Sequence, residues 1–416
     1  MPPILIAGAG LGGLTLALSL HQIGVPCCIF ESVNEIKPLG VGINIQPHAV
    51  RELYELGLED VLTAIGMQTK AVSYYTKRGQ LIWSELRGKH AGYAWPQFSI
   101  HRGKLQEILL EAVKNRLGND AVVTGHTLES WREKASGITA SFLNRKTGQS
   151  TAVEGALLVG ADGIHSALRK SLYPQEGAPI WAGMIMWRGV TPGATYLDQR
   201  GMILAGHFSQ KLVAYPIVPA GGRVPLLNWV AELRFPPEKE WRREDWNRPG
   251  RLEEFLPQFE DWRFDWLDVP AMIRAAPVCH EYPMVDRDPL PRWSFGRVTL
   301  LGDAAHPMHP IGANGASQAI LDGRVLAREI RNRGATVEAL AAYDEDRRNA
   351  TTPIVLANRE LGPERVLQMA EERAPKGFKE IHDVIEKDEL ELIANSYKRM
   401  AGFSIDELNG RPSILR

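Results

Sequence analysis

Residues 4–31 read ILIAGAGLGGLTLALSLHQIGVPCCIFE, and this stretch decides the fold. Ile4-Leu5-Ile6-Ala7 is a short apolar run, Gly8 to Gly13 a glycine-rich turn, and Leu14 to Ile23 an apolar helix. Gly24 is placed to stop that helix. Cys27-Cys28-Ile29-Phe30 is a second apolar run, ending at Glu31, the first charged residue of the sequence. A strand buried on both faces of a parallel sheet reads as a continuous apolar run, as both of these do. The expectation is strand, turn, helix, strand. A signal peptide would need a basic segment before the apolar run, and none is there. A membrane span would not carry Gly8, Gly10, Gly12, Gly13, His21, Gln22 and Gly24.

Gly8-x-Gly10-x-x-Gly13 gives this unit its chemistry. Gly8 permits the tight turn, Gly10 lets the backbone approach a pyrophosphate, and Gly13 lets helix and strand pack closely. The helix start offers unpaired N–H groups and a positive dipole end to the phosphates. Glu31 can accept from the adenosine ribose hydroxyls. An acid there disfavours a ribose 2′-phosphate, so the resident cofactor is FAD or NAD rather than NADP.

The rest of the chain fits a two- or three-unit globular protein of 416 residues. Lys+Arg number 48 and Asp+Glu 49, so there is no basic field for a nucleic acid to answer. The three cysteines, Cys27, Cys28 and Cys279, form no disulfide framework and fit a reducing compartment. A soluble, cytoplasmic chain, monomer or homodimer, is expected. Helices are expected over 47–56, 104–117 and 317–333, and again from 336 onward. Residues 69–86 read as a hairpin turning at Arg78-Gly79. Residues 180–235 are strand-like, with breaks at Pro192-Gly193 and Ala220-Gly221-Gly222, and 271–296 are extended. The five tryptophans from Trp229 to Trp266 read as packing mass.

Two further motifs follow buried strands. Leu157-Leu158-Val159-Gly160 leads to Asp162-Gly163 and a helix start with Ser166 and Arg169. Val298-Thr299-Leu300-Leu301 leads to Gly302-Asp303, where a carboxylate can bind sugar-alcohol hydroxyls. A loop, Pro310-Ile311-Gly312-Ala313-Asn314-Gly315-Ala316, then enters a helix near Ser317, whose N-terminus can stabilise negative charge on a reduced flavin. His306-Pro-Met-His309 resembles a metal pair, but no third ligand lies at suitable spacing, and no metal site is expected.

With these three motifs in order, the chain resembles the group A FAD-dependent aromatic monooxygenases over nearly its whole length. It is most similar to phenazine-modifying enzymes acting on 5-methylphenazine-1-carboxylate, and more loosely to salicylate hydroxylases. LGVGINIQPHAV, YAWPQFSIHRGKLQ, MWRGVT, EYPMVDRDPLP and GANGASQAILDG carry the likeness. The fold it implies is a Rossmann-like α/β FAD-binding domain (1–70, 98–179 and 278–350). A β-sheet substrate domain (71–97 and 180–277) is inserted into it, and a helical segment (351–416) follows.

The resemblance also implies site roles. Gly8, Gly10, Gly13 and Glu31 hold the ADP half of FAD. Arg102 contacts the phosphate and ribityl region, and Asp162 sits at the pyrophosphate and the nicotinamide path. Asp303 binds the ribityl chain. Pro310 and Gly312 to Ala316 line the flavin ring, with Gly42 and Ile43 flanking it. His309, Tyr215, Met202, Trp187 and Arg188 are pocket candidates, and no acid or base is assigned. NAD(P)H is the transient reductant and O₂ the co-substrate. A flavin C4a-hydroperoxide would hydroxylate a small aromatic compound, with loss of CO₂ if it attacks a carboxylated carbon. Two alternatives stay open: a flavoprotein oxidoreductase that inserts no oxygen, and a non-catalytic FAD protein that sequesters an aromatic compound.

Overall fold

The computed structural model describes residues 1–416 except Leu39, Thr195, 219–223, Pro237, Glu240 and 242–247. The expected break at Ala220-Gly221-Gly222 and the tryptophan Trp246 lie outside the described residues. The opening unit forms strand Ile4–Ala7, helix Leu11–Gln22 and strand Cys27–Glu31. Ile4, Leu5 and Ile6 are fully buried, as a central parallel strand requires. The helix starts at Leu11, not Leu14, so Gly12 and Gly13 lie inside it. Glycine weakens a helix interior by about 1 kcal/mol, which close packing outweighs here. A Cβ on Gly12 would come within 2.5 Å of Leu301 Cδ2.

Five parallel strands make the first sheet, in the order Val298–Leu300, Leu158–Gly160, Ile4–Ala7, Cys27–Glu31, Val122–Thr124. All three sequence motifs therefore leave neighbouring strands at their carboxyl ends, where ligands of open α/β sheets bind. Helix Leu11–Gln22 packs against helices Arg102–Leu117 and Gly315–Arg333. A three-stranded antiparallel sheet, His126–Lys134, Gly137–Asn144 and Ser150–Gly155, lies beside it. Phe30 stacks on Phe142 there, ring centroids 3.7 Å apart.

The larger sheet has seven strands, in the order Cys279–Asp286, Ile180–Pro192, Leu226–Arg234, Gln210–Ile217, Gly201–His207, Ala71–Tyr75, Leu81–Leu86. Side chains alternate between its faces. One face buries Trp187, Trp229, Phe255, Phe259 and Trp262. The other carries Met186, Met202, Val213, Tyr215 and Val230, against Val366, Met369 and Leu390 of the C-terminal helices. The expected extended stretch 271–296 is corrected at its start: Val269–Arg274 is a helix. The Asp268 side chain accepts from Ala271 N–H at 2.9 Å, and Pro270 suits a first turn.

Candidate active site

A cavity of ≈ 330 Å³ separates the Met186 face of the large sheet from the carboxyl ends of the parallel strands. Gly10 lines one end of it, Asp303 and Arg102 the middle, and Gly42, Ile43, Pro310 and Gly312 to Ala316 the other end. Gly8 has φ +108°, and a Cβ there would fall on the Ala161 carbonyl oxygen. A Cβ on Gly13 would fall on the Gly8 carbonyl oxygen. Helix Leu11–Gln22 has no side-chain cap at Gly10, so its first amides are available to phosphate oxygens. Glu31 Oε2 accepts from Ala9 N–H at 2.8 Å, which ties the acid to the glycine turn. Its Oε1 accepts from Ser32 Oγ and Val33 N–H, each at 3.0 Å.

Asp303 opens into this cleft and makes no side-chain hydrogen bond to the described residues. Protein surrounds it on the other sides, and that burial raises its pKa, against the pull of His306 and Arg102. Helix Gly315–Arg333 holds the Gly302-Asp303 turn in place through Asp322. One Asp322 oxygen accepts from Gly302 N–H at 2.9 Å and lies 2.6 Å from His306 Nε2. The other accepts from Arg347 Nε at 2.7 Å. Burial alone would raise the Asp322 pKa, but His306 and Arg347 outweigh it and bring it to about 2. At the ring end, Gly312 has φ +67° and Ala313 φ +51°. Gln46 Nε2 reaches the Gly312 carbonyl at 3.4 Å, while Gln46 Oε1 and Asn314 Nδ2 are buried with no partner.

Met202, Tyr215, Arg188 and His309 line the cleft. Trp187 does not: it is 1% exposed and stacks on Phe255 at 4.7 Å on the opposite face. Its neighbours Met186 and Arg188 face the cleft, and strand alternation sends Trp187 the other way. Asp162 also stays off the lining, although Ala161 and Gly163 belong to it. Its Oδ2 accepts from Ala167 N–H at 2.7 Å, where it caps a helix start, and Oδ1 is buried and unpaired. His306 Nε2 lies beside Asp322, and His309 Nε2 lies 3.4 Å from Asp286 Oδ2. Burial, aided by Arg359, lowers the His309 pKa against the pull of Asp286. Cleft residues absent from the sequence reading include Gln46, Glu232, Glu364 and Tyr397. Gln46 lies within LGVGINIQPHAV, where the resemblance gives it no role, and the other three come from separate segments with no motif around them, so no sequence signal joins them.

These observations fit FAD. Gly8 and Gly13 let the turn close tightly on Ala161 and on itself, while beside Gly10 the nearest atom to a would-be Cβ is 4.0 Å away, leaving the backbone open to a ligand. Asp303 offers an unengaged carboxylate, and Gln46 Oε1 and Asn314 Nδ2 are orphaned polar atoms at the ring end. Gly10 with the Leu11 helix start would hold the pyrophosphate, Glu31 the ribose and Asp303 the ribityl hydroxyls. Bound there, FAD supplies the two-electron transfer and the activation of O₂. The chain's own part is to cover the ring position with Met202 and Tyr215 and to keep water out.

The FAD binding domain model matches residues 1–246 and 277–357. The phenazine 1,6-dicarboxylic acid hydroxylase of Lysobacter antibioticus is 48% identical over 363 residues, 86% of this chain and 89% of that protein. The 6-hydroxynicotinate 3-monooxygenase of Pseudomonas fluorescens is 30% identical over 83% of this chain and 87% of its own length. Among solved structures, a salicylate hydroxylase substrate complex superposes with TM-score 0.74 at 21% identity, covering 98% of this chain and 97% of that one. Klebsiella pneumoniae HpxO with FAD and uric acid gives TM-score 0.71 at 23% identity, over 98% and 95%. No helix among the described residues is long and apolar enough to cross a membrane. The chain belongs to the group A FAD-dependent aromatic monooxygenases, flavoproteins that take electrons from NAD(P)H and oxygen from O₂.

Proposed function

We propose that the substrate is a flat, carboxylated nitrogen heteroaromatic of phenazine size, and that Arg188 binds its carboxylate. Arg188 carries this reading. Arg188 lines the cleft and forms no ion pair with a carboxylate among the described residues, and its buried Nε has no hydrogen-bond partner. A cation held without a counter-charge is costly, and a planar fork is shaped for a carboxylate. Around it the roof is apolar: Met186, Met202, Val72, Leu204 and Val230. Such a surface suits an aromatic ring anchored at one edge. The name of the Lysobacter relative, a phenazine dicarboxylic acid hydroxylase, supports the same substrate class. Hydroxylation at the carboxylated carbon would release CO₂. The proposed division of labour gives 1–70, 98–179 and 278–350 to FAD, 71–97 and 180–277 to the substrate, and 351–416 to a helical cover. The three free cysteines support a reducing, cytoplasmic setting, and the proposed assembly is a monomer or homodimer.

The test is NADH and NADPH oxidation by the holoenzyme, alone and with phenazine-1-carboxylate, its 5-methyl derivative, phenazine-1,6-dicarboxylate or salicylate, with products read by mass. The expected result is stimulation by a phenazine carboxylate and a product that gains oxygen or exchanges CO₂ for hydroxyl. Arg188→Gln should raise KM for the carboxylates roughly 10- to 100-fold, the worth of one charged hydrogen-bonded pair, and leave KM for the neutral amide analogue unchanged. Stimulation without oxygen in the product would make the chain an oxidoreductase. Equal effects of Arg188→Gln on acid and amide would remove Arg188 from the anchor role.

A further inference from the structure

A second cavity of ≈ 290 Å³ lies behind the cleft, between the large sheet and the C-terminal helices. Its lining runs from His309 and Ile311 to the exposed Arg234 at the surface. Glu232, Glu364, His309 and Ile311 line both cavities. Between the two sits a buried triad. Lys211 Nζ lies 3.0 Å from Glu232 Oε2 and donates to Glu364 Oε2, with all three side chains less than 10% exposed. The nucleotide-binding machinery described above does not use it.

We propose that Glu364 and Glu232, bridged by Lys211, form a proton relay that carries protons from water in the second cavity into the cleft, where they end on the oxygen atom of O₂ that leaves as water. It rests on the aromatic monooxygenase reading and adds the route by which the cleft is supplied. The stoichiometry requires such a route. Hydroxylation is ArH + O₂ + NAD(P)H + H⁺ → ArOH + NAD(P)⁺ + H₂O. The decarboxylative form is ArCOO⁻ + O₂ + NAD(P)H + 2H⁺ → ArOH + CO₂ + NAD(P)⁺ + H₂O. Protons are consumed in either case, at a site that must stay closed to bulk water.

The triad is built to hold one. Two carboxylates and one ammonium, all ionised, would leave a net charge of −1 on three buried side chains, which is expensive. One proton on the pair of acids neutralises it. Burial pushes the Glu364 carboxyl up, and the Glu232 charge adds to this, while Lys211 and the Gly312 amide pull it down. Burial opposes the Lys211 charge, but the two carboxylates outweigh burial and raise the ammonium's pKa. Glu232 Oε2 is buried with the Lys211 ammonium 3.0 Å away and makes no well-aligned hydrogen bond, so a lone pair is open to a proton. The Gly312 contact puts Glu364 against the loop that would cradle the flavin ring. Other ionisable groups facing the triad are the neutral candidates Tyr74 from the large sheet, Tyr397 from helix Lys387–Met400 and His309 from the loop, with the charged Arg87 on the cleft side and Arg234, Asp286 and Arg359 lining the second cavity. Burial raises the pKa of both tyrosines and lowers that of His309, so these three are neutral near pH 7 and take no part of the triad's charge.

The first measurement needs no substrate. An infrared difference spectrum between wild-type and Glu364→Gln holoenzyme at pH 7 should show a protonated-carboxyl band that the variant lacks. In turnover, Glu364→Gln should lower kcat roughly 100-fold, the scale of one positioned proton donor, with KM changed little. The limb on which activity falls as Glu364 loses its proton should vanish, and the solvent isotope effect should rise. Glu364→Asp should retain the band and restore part of kcat. If Glu364→Gln does not fold, Glu232→Gln carries the same expectations. A purely structural triad would lower Tm and leave the band, pH profile and isotope effect as in wild type, and that result overturns the relay. If the wild-type enzyme hydroxylates no aromatic, the substrate reading fails while the infrared result stands apart.

Discussion

Asp303 is the residue on which cofactor retention turns. It opens into the cleft with no hydrogen bond to the described residues, and Arg102 and His306 lie close enough to lower its pKa against burial. A carboxylate so placed is worth most when ligand hydroxyls reach it, since hydrogen bonds to charged groups contribute about 1.5–3 kcal/mol. Asp303→Ala should therefore weaken FAD binding roughly 10- to 100-fold. The flavin-to-protein absorbance ratio after gel filtration checks this, and full occupancy in the variant would remove the role. Ala313 shows a different constraint. Its φ of +51° places an L side chain in the left-handed region, at a cost of about 1–2 kcal/mol. Glycine's greater freedom in the unfolded chain takes back part of any gain. Ala313→Gly should still raise stability by up to about 1 kcal/mol, seen as a small rise in Tm.

At the scale of the element, the large-sheet strand Ile180–Pro192 sorts its residues by parity. Met186 and Arg188 meet the cleft, and Trp187 meets Phe255 on the far face. Trp187→Ala should cost about 3–5 kcal/mol in stability and leave substrate KM unchanged; a KM shift comparable to that of Arg188→Gln would refute the face assignment. The helix Gly315–Arg333 makes a pH-dependent contribution through Asp322. Its folded pKa of about 2 lies below the ordinary 3.8, so the carboxylate stabilises the fold above pH 3.8. That gain, about 2 kcal/mol, is lost as pH falls through 2. Asp322→Asn should destabilise by about 3–5 kcal/mol near neutrality, because Arg347 loses its buried partner. The difference from wild type should shrink as pH falls from about 4 towards 2 in denaturant titrations.

What the sequence disclosed follows from the same distinction. The strand–turn–helix–strand unit was legible because its chemistry is local: a period, a glycine spacing, one acid. So were the helix at 102–117 and the hairpin at 71–86, whose patterns lie within one window. Trp187 was misplaced because an apolar aromatic on a two-sided sheet suits either face, and only the partner layers decide. The helix Val269–Arg274 was missed because two turns carry too little periodicity to outweigh flanking prolines. Lys211, Glu232 and Glu364 were invisible because their meeting depends on two separate strands and the C-terminal cover.

For the molecule as a whole, the decisive fact is that the cofactor cleft has no single owner. Gly10 belongs to the parallel sheet's first turn, Tyr215 and Arg188 to the large sheet, and Tyr397 to the C-terminal cover. Ile45, Phe98 and Ile100 pack in the parallel-sheet core, while Met202 and Tyr215 pack with Val366 and Leu390 in another. FAD in the cleft would contact both, so its binding energy is also coupling energy between them. A ligand that binds only the folded state stabilises by RT ln(1 + [L]/Kd), about 4 kcal/mol at a thousandfold excess over Kd. Stripping FAD should lower Tm by several degrees and raise amide exchange in both strand Ile4–Ala7 and strand Gln210–Ile217. ADP engages only the Gly8–Gly13 end, so it should restore protection in the first strand and not in the second. Restoration of both by ADP would mean that the two sheets are coupled through the protein itself, and that the flavin ring contributes nothing to holding them together.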